Sequence, residues 1–223
     1  MCGRFAFQST RKKIQEAFPL FEVPELPPRY NIAPTQPVAI ARITEEPPQK
    51  EVTFVQWGLV PSWVKDPKVG QRMINARAET VAQKPSFRAA YKNHRCLILA
   101  DGFYEWQKVG KTKQPYFIHL KSDEPFAMAG LWEHWEGDGL VIESCAIITT
   151  EANPLVQPLH VRMPVILPAQ HYDNWLDPNN QTASGLSDLL VPYPQEEMEL
   201  YEVDSSVNNA RNDEPICLQR MLV

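Results

Sequence analysis

Apolar residues along this chain fall mostly in short runs, alternating or continuous, bounded by proline, glycine and small polar residues; this is the pattern of strands. PVAIARI (37–43) and EVTFVQW (51–57) are rich in β-branched and aromatic residues. RCLILA (95–100), GFYEWQK (102–108), PYFIHL (115–120), FAMAGLWEHW (126–135), GLVIESCAIITT (139–150) and MPVILP (163–168) continue the series. VGKTKQ, between the second and third of these, reads as a hairpin turn. Further strands are predicted near 198–204 and 216–222.

A helical period is confined to short stretches. One helix is predicted from Ser9 or Thr10 to about Phe18, with Ile14 and Phe18 on one face. AETVAQ (78–83) and SFRAAYKNH (86–94) read as helical on either side of Pro85. AQHYDNWL (169–176) and a segment near 183–190 complete the helices. The 21 prolines cluster in PELPPRYNIAPTQP (24–37), EEPPQ and VPYPQ, and predict stiff extended connections. With no repeat or long linker, residues 1–223 are expected to form a single α+β domain of mostly antiparallel, barrel-like strands with flanking helices.

With 43% hydrophobic and 22% charged residues, the chain has ample material for a core. It has no apolar run of about 18 residues to cross a membrane, and its N-terminus lacks the layout of a signal peptide. A cytoplasmic setting is expected. The net charge of −5 argues against a protein that coats nucleic acid, but leaves room for a local arginine-lined groove. His94, His119, His134 and His171 lack metal-site spacing, there is no CxxC pair, and no glycine-rich phosphate loop is present. Neither metal nor cofactor is expected.

Of the four cysteines, Cys96, Cys145 and Cys217 lie in apolar runs and read as small core residues. Cys2 stands between Met1 and the Gly3–Arg4 pair. Aminopeptidases remove Met1 before a small residue, which would leave an amine and a thiol on one Cα. Such a 1,2-aminothiol condenses with an aldehyde to an imine, and the thiol then closes a five-membered thiazolidine. The closure is intramolecular, with effective molarity of roughly 10⁵ M or more. The α-amine, near 7.7–8.0, has a useful neutral fraction at pH 7, and the thiol, near 8.5, needs only modest help from a cation.

Other segments carry polar groups in unusual places. MINARAET (73–80) sets Asn75 and Arg77 among hydrophobic neighbours, and DGFYEWQK (101–108) puts Glu105 inside an aromatic strand. PLHVRMPVIL (158–167) places His160 and Arg162 before an apolar run, and WGLVPSWVKD (57–66) offers a loop tipped by Trp63. MCGRF, RYNIAP, WGLVPSW, INARAET, DGFYEW, HVRMP and VNNARNDEP together, in this order over nearly the whole chain, resemble the SOS-response-associated peptidase (SRAP) family. Glu214 departs from the glycine expected in the last motif. The resemblance implies recognition of abasic sites in single-stranded DNA and cross-linking through the N-terminal cysteine as a thiazolidine. It also implies catalytic roles for Cys2, Asn75, Glu105 and His160.

Strand alternation puts Phe103, Glu105 and Gln107 on one face, with Tyr104 and Trp106 on the other. A carboxyl beside aromatic surface would have its pKa raised, as ring-opening of an abasic hemiacetal needs. His160 can shuttle a proton or hold a phosphate. Asn75 can orient the Cys2 amine. Arg4, Arg77 and Arg162 are candidate phosphate clamps, and Trp63 a candidate base-stacking residue. The partner expected is single-stranded DNA containing abasic sites, bound by a monomer. Two other readings stay open on the residues alone: a thiol autopeptidase or hydrolase using Cys2, and a non-covalent DNA-binding module. Lyase activity is possible through the imine.

Overall fold

The computed structural model describes residues 2–45, 48–180 and 183–221. From the N-terminus, the strands and helices are β1 (Phe5–Phe7), α1 (Arg11–Ala17), β2 (Arg29–Ile32), β3 (Pro37–Glu45), β4 (Pro48–Trp57), β5 (Asn75–Arg77) and α2 (Arg88–Asn93). Then follow β6 (Arg95–Ala100), β7 (Gly102–Val109), β8 (Thr112–Leu120), β9 (Phe126–Gly137) and β10 (Leu140–Glu151). The rest comprises β11 (Arg162–Pro164), β12 (Ile166–Leu167), α3 (Tyr172–Leu176), α4 (Ala183–Ser187) and β13 (Met198–Glu202). The fold is α+β, as the pattern implied.

Strands β10, β4, β3, β6 and β9 are paired in that order, and β9 pairs back to β10, so the five close into a barrel with no free edge between neighbours. Every pairing in the ring is antiparallel except β4 with β10, where Ser144 and Cys145 lie beside Gln56 and Trp57. β5 continues along the same edge of β10, setting Asn75 beside Ile147. The second sheet runs β13-β8-β7-β1-β2 and is antiparallel throughout. One face joins the main core: Phe5 meets Trp57 of β4 edge to face, with ring centroids 5.2 Å apart. The other face, with Ala6, Tyr104 and Phe117, is covered by Val203, Val207 and Cys217 of the C-terminal segment. This is the alternation predicted for β7, with Phe103 in the main core and Tyr104 in the smaller one.

Three elements differ from the sequence reading. Residues 78–83 form successive turns instead of a helix. The residue before a proline is pushed out of helical conformation, so Pro85 leaves too few residues for a stable helix. The segment 216–222 contributes a 3₁₀ turn over Pro215–Leu218 and a single bridge between Val203 and Arg220. Pro215 presets that turn and has no N–H for a ladder; residue 222 lies outside the described part of the chain. The predicted strand 163–168 is split into β11 and β12. Val165 between them donates to Ile148 O and accepts from Ala129 N–H, so it joins β10 to β9.

Gly102, where β7 starts, packs against β8 without room for a side chain. A Cβ there would collide with the Phe117 ring and come within 2.7 Å of the Ile118 carbonyl oxygen. Since that oxygen belongs to the backbone of a paired strand, relief requires a shift of β7. Gly102→Ala is expected to lower stability by about 1–3 kcal/mol, measured as a shift in the urea midpoint at unchanged m-value.

Candidate functional site

The first strand delivers Cys2 to the interior. β1 lies between β2 and β7, with Phe5 opposite Phe103 and Ala6 opposite Gly102. Tyr104 N–H donates to Arg4 O at 2.9 Å. Continuing this register carries Gly3 opposite Glu105 and Cys2 opposite Trp106. Cys2 is fully buried, which its polar neighbours did not foretell. Its carbonyl oxygen accepts from Asn75 Nδ2 at 2.7 Å, tying β1 to β5. Among the described residues Asn75 Oδ1 is buried with no hydrogen-bond partner. Met1 lies outside the described residues.

Glu105 is 5% exposed on β7. Burial pushes its carboxyl up to about 7, the direction expected for a carboxyl removed from water. The Cys2 thiol behaves differently from expectation. Instead of being eased toward thiolate by a cation, it is pushed up to about 12, first by burial and then by the charge of Glu105. It is a neutral thiol at pH 7. The other three cysteines are buried, as their apolar settings implied.

His160 precedes β11 and shares a cleft of about 660 Å³ with Glu105, lined also by Trp106, Thr112, Lys113, Ser205 and Asn208. Its Nδ1 accepts from Arg162 N–H at 2.9 Å, which leaves the neutral ring's proton on Nε2. Burial holds His160 below its usual value, so the ring is uncharged at pH 7. Of the four residues, which are far apart in sequence, Glu105 and His160 line one cleft, while Asn75 is hydrogen-bonded to buried Cys2, whose thiol feels the charge of Glu105.

The predicted cationic residues divide. Arg77 is exposed at the end of β5. Arg162 makes a two-pronged ion pair with Glu79 and also donates to Thr149 O, so much of its fork is occupied by protein. Arg4 donates to Asn31 Oδ1 at 2.7 Å and to Val207 O at 2.8 Å, with its guanidinium 5.9 Å from the centre of the Trp106 ring. It braces the floor of the cleft. Asn31, fully buried, in turn donates to the carbonyls of Val207, Asn209 and Asn212 and fastens the C-terminal motif to β2.

Trp57 is a core residue whose Nε1 donates to Ile74 O at 2.9 Å. Trp63 is 64% exposed. It sits on a turn closed by Val64 N–H to Pro61 O, and Trp135 Nε1 anchors the turn through Val64 O at 2.7 Å. The loop leaves β10's edge after Trp57 and returns at Asn75, so its base adjoins the strand that holds Asn75. Trp106, Lys113, Ser205 and Asn208 are cleft residues that the sequence reading missed. The lysines at 108, 111 and 113 were a visible signal, but GFYEWQK was read only as a strand and VGKTKQ only as a turn.

A barrel flanked by a sheet buries Cys2 against an asparagine and near a carboxyl that shares a cleft with a histidine, which defines a thiol-bearing protein with titratable groups beside the thiol. The chain belongs to the SOS response associated peptidase (SRAP) family, whose model matches residues 1–210. It is 44% identical over 218 residues to the abasic site processing protein YoaM of Bacillus subtilis, covering 96% of this chain and 95% of that one. It is 31% identical over 199 residues to the abasic site processing protein HMCES of Xenopus tropicalis, covering 78% of this chain and 59% of that protein. A crystal structure of a protein from Bacteroides thetaiotaomicron superposes with a TM-score of 0.87 at 28% identity, covering 99% of this chain and all of that one.

The raised pKa of Glu105 has a consequence for stability. The folded protein keeps this proton up to about pH 7, whereas an unfolded glutamate releases it near 4.3. The native state therefore binds more protons than the unfolded state in this window, and stability falls as pH rises through it. Glu105→Gln is expected to match the parent near pH 4 and to exceed it by roughly 1–3 kcal/mol at pH 8, as read by chemical denaturation at both pH values.

Proposed function

We propose that this protein acts on abasic sites in single-stranded DNA and bonds to them covalently through Cys2 once Met1 is removed. The observation that carries the reading is the convergence on Cys2 of groups suited to aldehyde chemistry. The names of the relatives from Bacillus subtilis and Xenopus tropicalis, both abasic site processing proteins, agree with the substrate.

The order of steps follows from the electrostatics. A thiol pushed up to about 12 is a poor first nucleophile, so the free α-amine of the processed chain attacks first. Most abasic sugar is a closed hemiacetal. Glu105, with its carboxyl near 7, divides between acid and base at physiological pH. As base it takes the anomeric hydroxyl proton and passes it to the ring oxygen, which leaves as the 4′-hydroxyl as the ring opens. As acid it protonates the carbinolamine hydroxyl, which leaves as water and gives the imine. Asn75 Oδ1, without a partner among the described residues, accepts from the amine and directs it. The thiol then adds to the imine carbon. Its proton passes through Glu105 to the former imine nitrogen, giving a thiazolidine with the loss of one water overall. His160, neutral with its proton on Nε2, donates to the sugar oxygen or a phosphate at the cleft mouth. Arg77 and Trp63 supply backbone and base contacts.

The adduct shields the aldehyde from strand cleavage in the DNA damage response. The imine is also the branch point for β-elimination, which gives a minor lyase activity when ring closure is slow.

Cys2 variants separate covalent from non-covalent readings. With an abasic oligonucleotide, Cys2→Ala is expected to retain binding but give no adduct on a denaturing gel, and Cys2→Ser to give at most an adduct lost on heating. A heat-stable Cys2→Ser adduct would contradict ring closure by sulfur. Glu105→Gln is expected to slow adduct formation about 10²–10⁴-fold, the usual range for a lost acid–base group, with near-parental affinity for the same strand carrying no aldehyde. Equal rates would remove Glu105 from the mechanism.

A further inference from the structure

The β7–β8 hairpin carries a charge arrangement that its own fold does not call for. Lys108 and Lys113 stand directly opposite one another across the two strands, and Lys111 lies in the turn between them. Like charges facing across a strand pair are destabilising. All three lysines are exposed, and among the described residues none belongs to an ion pair. The chain carries a net charge of −5, yet no acidic residue occurs between Trp106 and Ser122. The acids of the adjoining C-terminal segment have other partners. Glu202 accepts from the Tyr116 hydroxyl at 2.8 Å, and Asp204 accepts from Ser206 N–H at 2.7 Å.

This hairpin is continuous with the cleft. Thr112 and Lys113 form part of the same lining as Glu105 and His160, with Ser205 and Asn208 also contributing. Trp106 Nε1 donates to Asn208 Oδ1 at 2.6 Å. An indole N–H only donates, so the asparagine oxygen must face it and the amide N–H₂ must point elsewhere. The cleft therefore has a lip of ammonium and amide donors beyond the acid–base pair.

Building on the abasic-site reading, we propose that the β7–β8 hairpin is the track for the DNA backbone on one flank of the lesion. Lys113 and Lys108 take the phosphates leaving the cleft, Lys111 the next, and Asn208 donates to the sugar–phosphate nearest the lesion. The hairpin leads away from the cleft in a single direction, so it serves one flank and leaves the other to Arg77 and Trp63.

The test uses the full chain with Met1 removed and the variant Lys108→Gln/Lys111→Gln/Lys113→Gln. Fluorescence anisotropy measures binding to oligonucleotides carrying a tetrahydrofuran abasic analogue, which has no aldehyde, with nucleotides on the 5′ side, the 3′ side or both. The expected result is a salt slope shallower by about 2 in log Kd against log [salt], at roughly 0.7 per lysine on single strands. The change should appear for one flank only. Lys12→Gln, remote on α1, serves as the charge control and should leave the slope within error of the parent. Removing facing like charges should not lower the melting temperature, so a folding defect does not obscure the result. An unchanged slope, or an equal change for both flanks, overturns the proposal. If the slope changes on one flank but the parent forms no adduct with true abasic DNA, the hairpin track stands and the covalent reading fails.

Discussion

The pairing of β1 with β7 is the constraint on which the site depends. Three residues of β1 lie between β2 and β7, and that short ladder fixes where the chain's first residues go. Because Phe5 is opposite Phe103, the register sets Gly3 opposite Glu105, and Cys2 follows one residue further, near enough for the Glu105 charge to act on its thiol. A slip by one residue would send the side chains of β1 to the opposite faces of the sheet. The ladder is held from several sides: Phe5 against Trp57 in the barrel, Arg4 on Asn31 and Val207 O, and Asn75 on the Cys2 carbonyl. The barrel is then a rigid mount, with β10 as the strand that presents β5 and leads to His160.

Burial sets the chemistry that this mount can perform. The same removal from water that raises Glu105 to about 7 raises the Cys2 thiol to about 12. These shifts are complementary. In the proposed reaction, a carboxyl poised near neutrality can pass protons in either direction, while a thiol held neutral does not compete with the amine for the aldehyde. His160 is kept neutral by burial and oriented by the backbone of Arg162, so the site has one proton-transfer group of each kind. The stored cost falls on stability, since a buried carboxyl is tolerated best when protonated.

Much of this was legible in the sequence. The barrel strands alternate or run continuously apolar over six or more residues, so periodicity finds them. The face assignment of Phe103, Glu105 and Tyr104 followed from alternation alone. A barrel-like arrangement was legible, but the pairing that closes it was not, because β4 runs parallel to β10 and joins it to a distant segment. β5 is too short to carry a period, although it holds Asn75. Residues 78–83 were misread because helix propensity was weighed above Pro85. The burial of Cys2 was hidden by Gly3 and Arg4, whose polar character disappears into Asn31 and the Trp106 ring. Likewise Arg162 looks like a free clamp until Glu79, far away in sequence, is seen beside it. The reading of VGKTKQ as the hairpin turn after the strand 102–108 was correct for the backbone and overlooked the charge of its lysines.

The central claim is that both the amine and the thiol of Cys2 end in the adduct, and a thiol count on the purified adduct tests it most directly. The chain has four cysteines. After reaction of the Met1-processed protein with an abasic single-stranded oligonucleotide, the adduct is denatured, alkylated with iodoacetamide and weighed intact. A mass short of the sum of its parts by one water, with three alkylated cysteines, is the predicted result. Four alkylated cysteines would place the bond on an amine alone, and no adduct from a chain with a confirmed free Cys2 would contradict the account altogether.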